Sequence, residues 1–120
     1  MTILIADDSS LIRSNLIKLI IPASQNVHIK ESADVKSTIE ELDSSSVDVL
    51  ILDIQFPDGS GFEVLEYLRK LENKPYVIVL TNYSSLSRRE KCLKMGADLF
   101  LDKTDEYEKV VSIIQRHADK

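Results

Sequence analysis

With a single cysteine, Cys92, the chain cannot close an internal disulfide or build a thiolate zinc site, which fits a reducing compartment. No apolar run approaches the ~20 residues that a bilayer-spanning helix needs, so no helical span is expected. Positive charge is in short supply: 15 Lys and Arg stand against 20 Asp and Glu, for a net charge of −5. That balance disfavours binding along a polyanion such as DNA. The start, Met1 to Asp8, has no basic segment, and two acids cut off its apolar stretch. It reads as a first strand rather than a secretory signal, and the expectation is a cytoplasmic protein with no direct nucleic-acid or membrane contact. No repeat, linker or low-complexity tract divides the sequence. Its 120 residues, 43% apolar and 29% charged, suit one soluble globular domain spanning residues 1–120.

What is present is an alternation of short β-branched runs with amphipathic segments. Strands are expected at Thr2 to Ala6, Val27 to Lys30, Val47 to Leu52, Tyr76 to Leu80 and Leu99 to Leu101. A first helix starts near Ser9 or Ser10, capped by Asp8 or Ser9, with Ile12, Leu16, Leu19 and Ile20 on its inner face and Pro22 as its stop. A weaker helix covers Val35 to Leu42. A third follows the breaker-rich turn from Pro57 to Gly61 and buries Phe62, Leu65, Leu68 and Leu71. A fourth runs from about Ser87 to Met95 and ends at Gly96, and the last starts near Asp105, with Tyr107, Val110, Val111, Ile114 and Ala118 at helical spacing. Five βα units in succession predict an α/β fold, a doubly wound five-stranded parallel sheet with helices on both faces. Strand order 2-1-3-4-5 puts the switch point between strands 1 and 3, beyond whose carboxyl ends ligands bind.

Reading each strand to its carboxyl end gives Asp7 and Asp8 after the first, Asp53 after the third, Thr81 after the fourth and Lys103 after the fifth. In that strand order they converge on one edge. Clustered carboxylates raise one another's pKa unless a cation sits among them. An all-oxygen set without His or Cys matches Mg²⁺, commonly held by one or two carboxylates plus a phosphate. A lysine and a hydroxyl complete a site for phosphoryl transfer to a carboxylate: Asp53 as nucleophile, Lys103 neutralising phosphoryl oxygens, Thr81 donating to one of them.

Taken together, Asp7-Asp8, the stretch Leu-Asp-Ile-Gln-Phe-Pro-Asp-Gly-Ser-Gly from Leu52 to Gly61, Leu80-Thr81, Gly96-Ala97-Asp98 and Phe100-Leu101-Asp102-Lys103 resemble the response-regulator receiver family, in the form of single-domain chemotaxis regulators. The resemblance covers essentially the whole chain. It implies that Asp53 is phosphorylated by a histidine kinase or phosphotransfer protein, and that Asp7, Asp8, Asp53 and the main-chain carbonyl of Gln55 hold Mg²⁺. It further implies that Phe100 is an aromatic switch, turning inward as the Thr81 hydroxyl moves toward the phosphate. The face of helix 4, strand 5 and helix 5 then changes shape for an output partner the sequence does not name. Such a protein is a switch, not an enzyme, and catalyses only its own phosphoryl transfer and slow dephosphorylation. No effector domain follows, so a stand-alone regulator or an excised fragment is expected.

The sequence departs from the family pattern at Thr104, where a cis-bonded proline is usual, and at Asn82, where a small residue is usual. Gln55 and Tyr83 fill positions that tune the lifetime of the phosphoryl group. Thr104 and Asn82 support one alternative, a pseudo-receiver that binds proteins without cycling a phosphate. A dehalogenase-type phosphatase would need an acid where Gln55 stands. A flavin- or nucleotide-binding module would need a phosphate loop where Asp7-Asp8 would repel it. Cys92, His28 and His117 read as packing or surface residues, and the basic run Arg88, Arg89, Lys91, Lys94 as a solvated helix face.

Overall fold

The computed structural model describes residues 1–23, 26–82, 84–104, 106 and 108–118. In chain order the elements are β1 (Thr2–Ala6), α1 (Ser10–Ala23), β2 (His28–Ser32), α2 (Val35–Ser44), β3 (Val49–Leu52), β4 (Gln55–Phe56), β5 (Gly59–Ser60), α3 (Gly61–Leu68), β6 (Tyr76–Thr81), α4 (Leu86–Lys94), β7 (Leu99–Asp102) and α5 (Lys109–Ala118). Five of the strands form one parallel sheet in the order β2-β1-β3-β6-β7. This is the expected 2-1-3-4-5 order once the small antiparallel β4–β5 hairpin is set aside.

Alternation along the strands divides the core in two. Leu4, Ala6, Leu50, Leu52, Val77, Val79 and Phe100 point to one face, where Val35 and Leu42 of α2, Val64, Leu65 and Leu68 of α3 and Cys92 of α4 cover them. Ile3, Ile5, Val49, Ile51, Ile78, Leu80 and Leu101 point to the other, beneath Leu16 and Ile20 of α1 and Val110 and Ile114 of α5. Fully burying each Leu or Ile contributes about 1.5–3 kcal/mol, so the central strands anchor whatever their ends carry.

The helix ends follow local chemistry. Ser9, not Asp8, caps α1, its Oγ accepting from the Ile12 amide at 3.3 Å. Ser60 and Glu63 form a reciprocal capping box at α3. Gly96, at φ +104°, closes α4 with the Gly96 and Ala97 amides donating to Leu93 and Cys92 carbonyls, a turn that a β-carbon would strain.

Three expectations are corrected. Pro22 does not stop α1, which continues to Ala23. In the last turn of a helix proline forfeits a single backbone bond. Leu19, placed on the buried face by its spacing, is 38% exposed. α5 begins at Lys109, because the Glu106, Lys109 and Val111 amides are spent on tight turns with Asp102, Glu106 and Glu108. Asp105 and Tyr107, assigned to that helix from the sequence, lie outside the described residues.

Candidate acidic site at the sheet edge

Three main-chain hydrogen bonds place Asp7, Asp53 and Lys103. The Asp7 amide donates to Ser32 O and the Asp53 amide to Ala6 O, each at 3.0 Å, and the Lys103 amide donates to Thr81 O at 3.0 Å. Each bond lies just past the last paired register of its strands, Ala6↔Ser32, Ala6↔Leu52 and Thr81↔Asp102. Asp7, Asp53 and Lys103 are thus the first residues to leave the sheet on the same edge.

Their side chains meet. Lys103 Nζ stands 2.6 Å from Asp7 Oδ2 and 2.7 Å from Asp53 Oδ2, and all three side chains are 5–6% exposed. The other oxygens are also held: Asp53 Oδ1 accepts from the Ile54 amide at 2.6 Å, and Asp7 Oδ1 from the Ser9 amide at 2.9 Å. Carboxylate oxygens of Asp7, Asp8 and Asp53 lie within 4.8 Å of one another, with Asp8 exposed at the rim. The group can hold a metal ion, and its donors are all hard oxygens, without His or Cys.

Electrostatics explains why one ammonium does not satisfy this cluster. At Asp7, burial pushes the carboxyl above its ordinary pKa despite the Lys103 and Ser9 hydrogen bonds, and the Asp53 charge adds to the rise. At Lys103, burial opposes the charged form, but the bonds and charges of Asp53 and Asp7 outweigh it and hold the ammonium above the ordinary lysine value. Asp7 and Asp53 share one ammonium with the Asp8 carboxylate close by, and a second cation relieves the deficit. A raised lysine pKa contributes stability that is complete below the unfolded-state value and lost as pH climbs through the folded-state value. Metal-free protein is therefore expected to lose stability on the alkaline side of the ordinary lysine range, in urea unfolding followed by circular dichroism. A Lys103→Met variant should lack that limb.

The remaining predicted residues lie around this core of contacts rather than in it. Thr81 ends β6, fully buried, beside the Lys103 backbone. Gln55 opens the β4–β5 hairpin and is exposed. Phe100, on β7, is 3% exposed and packed into the α2–α3–α4 face of the core, so its ring is already inward. Thr104 does not misplace Lys103: no described peptide bond is cis, and the ammonium still reaches both carboxylates. Tyr83 lies outside the described residues.

Other side chains reinforce the site without having been singled out in the sequence. Arg13 of α1 donates from Nη1 to Asp7 O at 2.7 Å and from Nε to Glu31 Oε1 at 3.1 Å, tying the acidic loop to the end of β2. Only its helical position, one turn past the acidic pair, could have suggested this. Ser84 bonds through its hydroxyl to Asp102, and Arg89 Nη1 donates to Phe100 O at 3.3 Å, so one cation of the basic run is used internally. Lys91 lies 4.0 Å over the Phe62 ring. Cys92 is fully buried, and desolvation pushes its thiol up to about 11, which suits packing rather than nucleophilic work.

A family model for the response regulator receiver domain matches residues 3–115. The sensory transduction protein LytT of Enterococcus faecalis is 32% identical over 116 residues, which take in 97% of this chain and 47% of that protein. The chain therefore spans about half the length of this curated relative. The signal receiver domain of a DNA binding response regulator protein from Colwellia psychrerythraea superposes with a TM-score of 0.91 at 17% identity, over 100% of this chain and 99% of that one. A response regulator protein from Burkholderia pseudomallei, solved with a phosphorylated aspartic acid, a calcium ion and citrate, gives a TM-score of 0.83 at 19% identity, over 98% and 68% of the two chains. At these identities the two structures establish a common fold.

Proposed function

Because the chain belongs to the response regulator receiver domain family, we propose that residues 1–120 act as one phosphoacceptor switch of a two-component or phosphorelay system, with Asp53 as the acceptor. The observation that carries this reading is the Lys103 ammonium held 2.6 and 2.7 Å from Asp7 and Asp53 inside a cluster of three carboxylates. A histidine kinase or phosphotransfer protein presents a phosphohistidine. A carboxylate oxygen of Asp53 forms a bond to phosphorus as the bond from phosphorus to the imidazole nitrogen breaks, and the imidazole leaves with that electron pair.

The residues of the chain have separate tasks in this step. Lys103, already directed at Asp53, meets the negative charge of the transferred group with a compact ammonium that needs no rearrangement to act. The Ile54 amide holds one carboxylate oxygen and so orients the other. Asp7, Asp8, Asp53 and the Gln55 carbonyl would hold Mg²⁺. The cation, when bound, neutralises phosphoryl oxygens. Thr81 binds one of those oxygens, and its movement is relayed to the α4–β7–α5 face that an output protein reads, with Phe100 already packed inward. The chain acts in the cytoplasm and turns over no other substrate. No helix among the described residues is long and apolar enough to cross a membrane.

Incubation with acetyl phosphate and Mg²⁺, followed by intact mass, tests the reading. Gain of one phosphoryl group is expected, and chelation of the metal should abolish it. A pseudo-receiver would gain nothing. Asn82 follows Thr81 and is exposed at the same edge. Its bulk is expected to hinder the attacking water, so Asn82→Ala should shorten the life of the phosphorylated state, measured as decay of the phosphorylated mass. An unchanged decay rate would remove Asn82 from the account.

A further inference from the structure

We propose that Asp58 is a positioning residue for the divalent cation, tethering the hairpin that carries Gln55 to the N-terminus of α2. The inference rests on the reading above, in which the Gln55 carbonyl is one of the cation's ligands. Asp58 sits at the tip of the β4–β5 hairpin, and its carboxylate reaches back more than 20 residues: Oδ1 accepts from the Val35 amide at 2.8 Å and Oδ2 from the Lys36 amide at 3.1 Å. Asp34, the local cap, takes the next amide, Ser37, at 2.7 Å. The first three amides of α2 are therefore shared between a cap from its own loop and a bidentate one from the site loop. Such amides have no partner within the helix and favour a carboxylate both as hydrogen-bond donors and through the helix dipole.

The tether matters because the hairpin has little else to fix it. Its ladder is only the pairs Gln55↔Ser60 and Phe56↔Gly59, and a ladder that short is not stable by itself. One end is pinned by the Gly61 amide donating to Ile54 O at 2.6 Å, and Phe56 is packed into the core. At the tip, Asp58 contributes the link to α2. A cation ligand supplied by main chain is placed only as well as that chain is held, and outer contacts of this kind commonly govern metal affinity. In the sequence Asp58 reads as one residue of a breaker-rich turn. Its distance from Val35 along the chain hides the contact.

Mg²⁺ titration of the full chain by isothermal calorimetry separates the possibilities. Asp58→Ala is expected to weaken Mg²⁺ binding about tenfold, and Asp58→Asn, which keeps a side-chain acceptor, to weaken it less. Asp34→Ala removes a cap of the same helix but not the tether, and should leave the affinity unchanged. A folded Asp58→Ala chain that binds Mg²⁺ as the unmodified chain does would overturn the proposal, and so would an equal loss in Asp34→Ala. If Asp58→Ala does not fold, Asp58→Asn carries the comparison, and unchanged affinity there overturns it. Failure of the unmodified chain to bind Mg²⁺ would instead sink the cation site itself.

Discussion

Replacing Lys103 with methionine is expected to slow labelling of Asp53 by acetyl phosphate about 10²–10³-fold, the usual cost of removing one preorganised electrostatic partner from a charge-transfer site. The same change should remove roughly 3 kcal/mol of stability from the metal-free protein, because two buried carboxylates lose the cation that pairs with both. Methionine retains most of the stem's packing, so the loss reports charge. A divalent cation that binds the folded state alone restores stability by mass action. The variant's unfolding midpoint should therefore rise steeply with Mg²⁺ while that of the unmodified chain rises less. Urea unfolding with and without the metal, beside labelling time courses, checks both effects. Unchanged stability and unchanged labelling together would show that the 2.6 and 2.7 Å contacts contribute nothing.

The second large effect is expected at Gly61. A β-carbon there would stand 2.3 Å from Asp53 O and 3.0 Å from Ile54 Cα, and both neighbours are main chain. Main chain anchored between the sheet and α3 yields poorly, so Gly61→Ala should cost about 1–3 kcal/mol, as overpacking does. Relief requires the Asp53 backbone to shift, which moves its carboxylate relative to Lys103. A misplacement of about 1 Å can slow a positioned reaction about 10²-fold, so labelling should fall by about tenfold or more. Gly96→Ala is the contrast. A β-carbon on Gly96 would meet no atom within 4 Å, and the left-handed φ of +104° alone resists substitution. The change should cost about 1 kcal/mol through backbone strain and leave labelling intact.

The fold was legible in the sequence wherever burial dictates pattern. Runs such as Val49–Leu52, buried on both faces, admit little but a central parallel strand; the succession of βα units implied the parallel sheet, and its order is the common doubly wound one. Legibility failed where local geometry competes. Pro22 reads as a stop because it forfeits one backbone bond, but so near the helix end that single loss does not break the turn. The start of α5 was set by turn bonds near Glu106 that no periodicity announces. The β4–β5 hairpin was hidden inside a stretch of turn formers whose pairing comes from the Ser60 cap and the close approach of Gly61 to Ile54.

At the site, the chain positions of Asp7, Asp8, Asp53 and Lys103 at strand ends were enough to bring them together, since a parallel sheet delivers all its carboxyl ends to one edge. The partners of Arg13, Asp58 and Ser84 were not legible. Each contact joins segments distant along the chain through side-chain reach, which depends on rotamer and loop path rather than on strand order. Thr104 raised the question of how Lys103 would be presented without a cis bond, and a trans path delivers the ammonium to the carboxylates.

The Asp53 carboxylate is proposed to become the acyl phosphate. The most direct test is to label the chain with acetyl phosphate and Mg²⁺, reduce with borohydride, and map the product by peptide mass spectrometry. Reduction of an aspartyl phosphate leaves homoserine, and the account predicts it at position 53 in the unmodified chain and nowhere in Asp53→Ala. Homoserine at Asp7 or Asp8 instead, or labelling that survives Asp53→Ala, would contradict it.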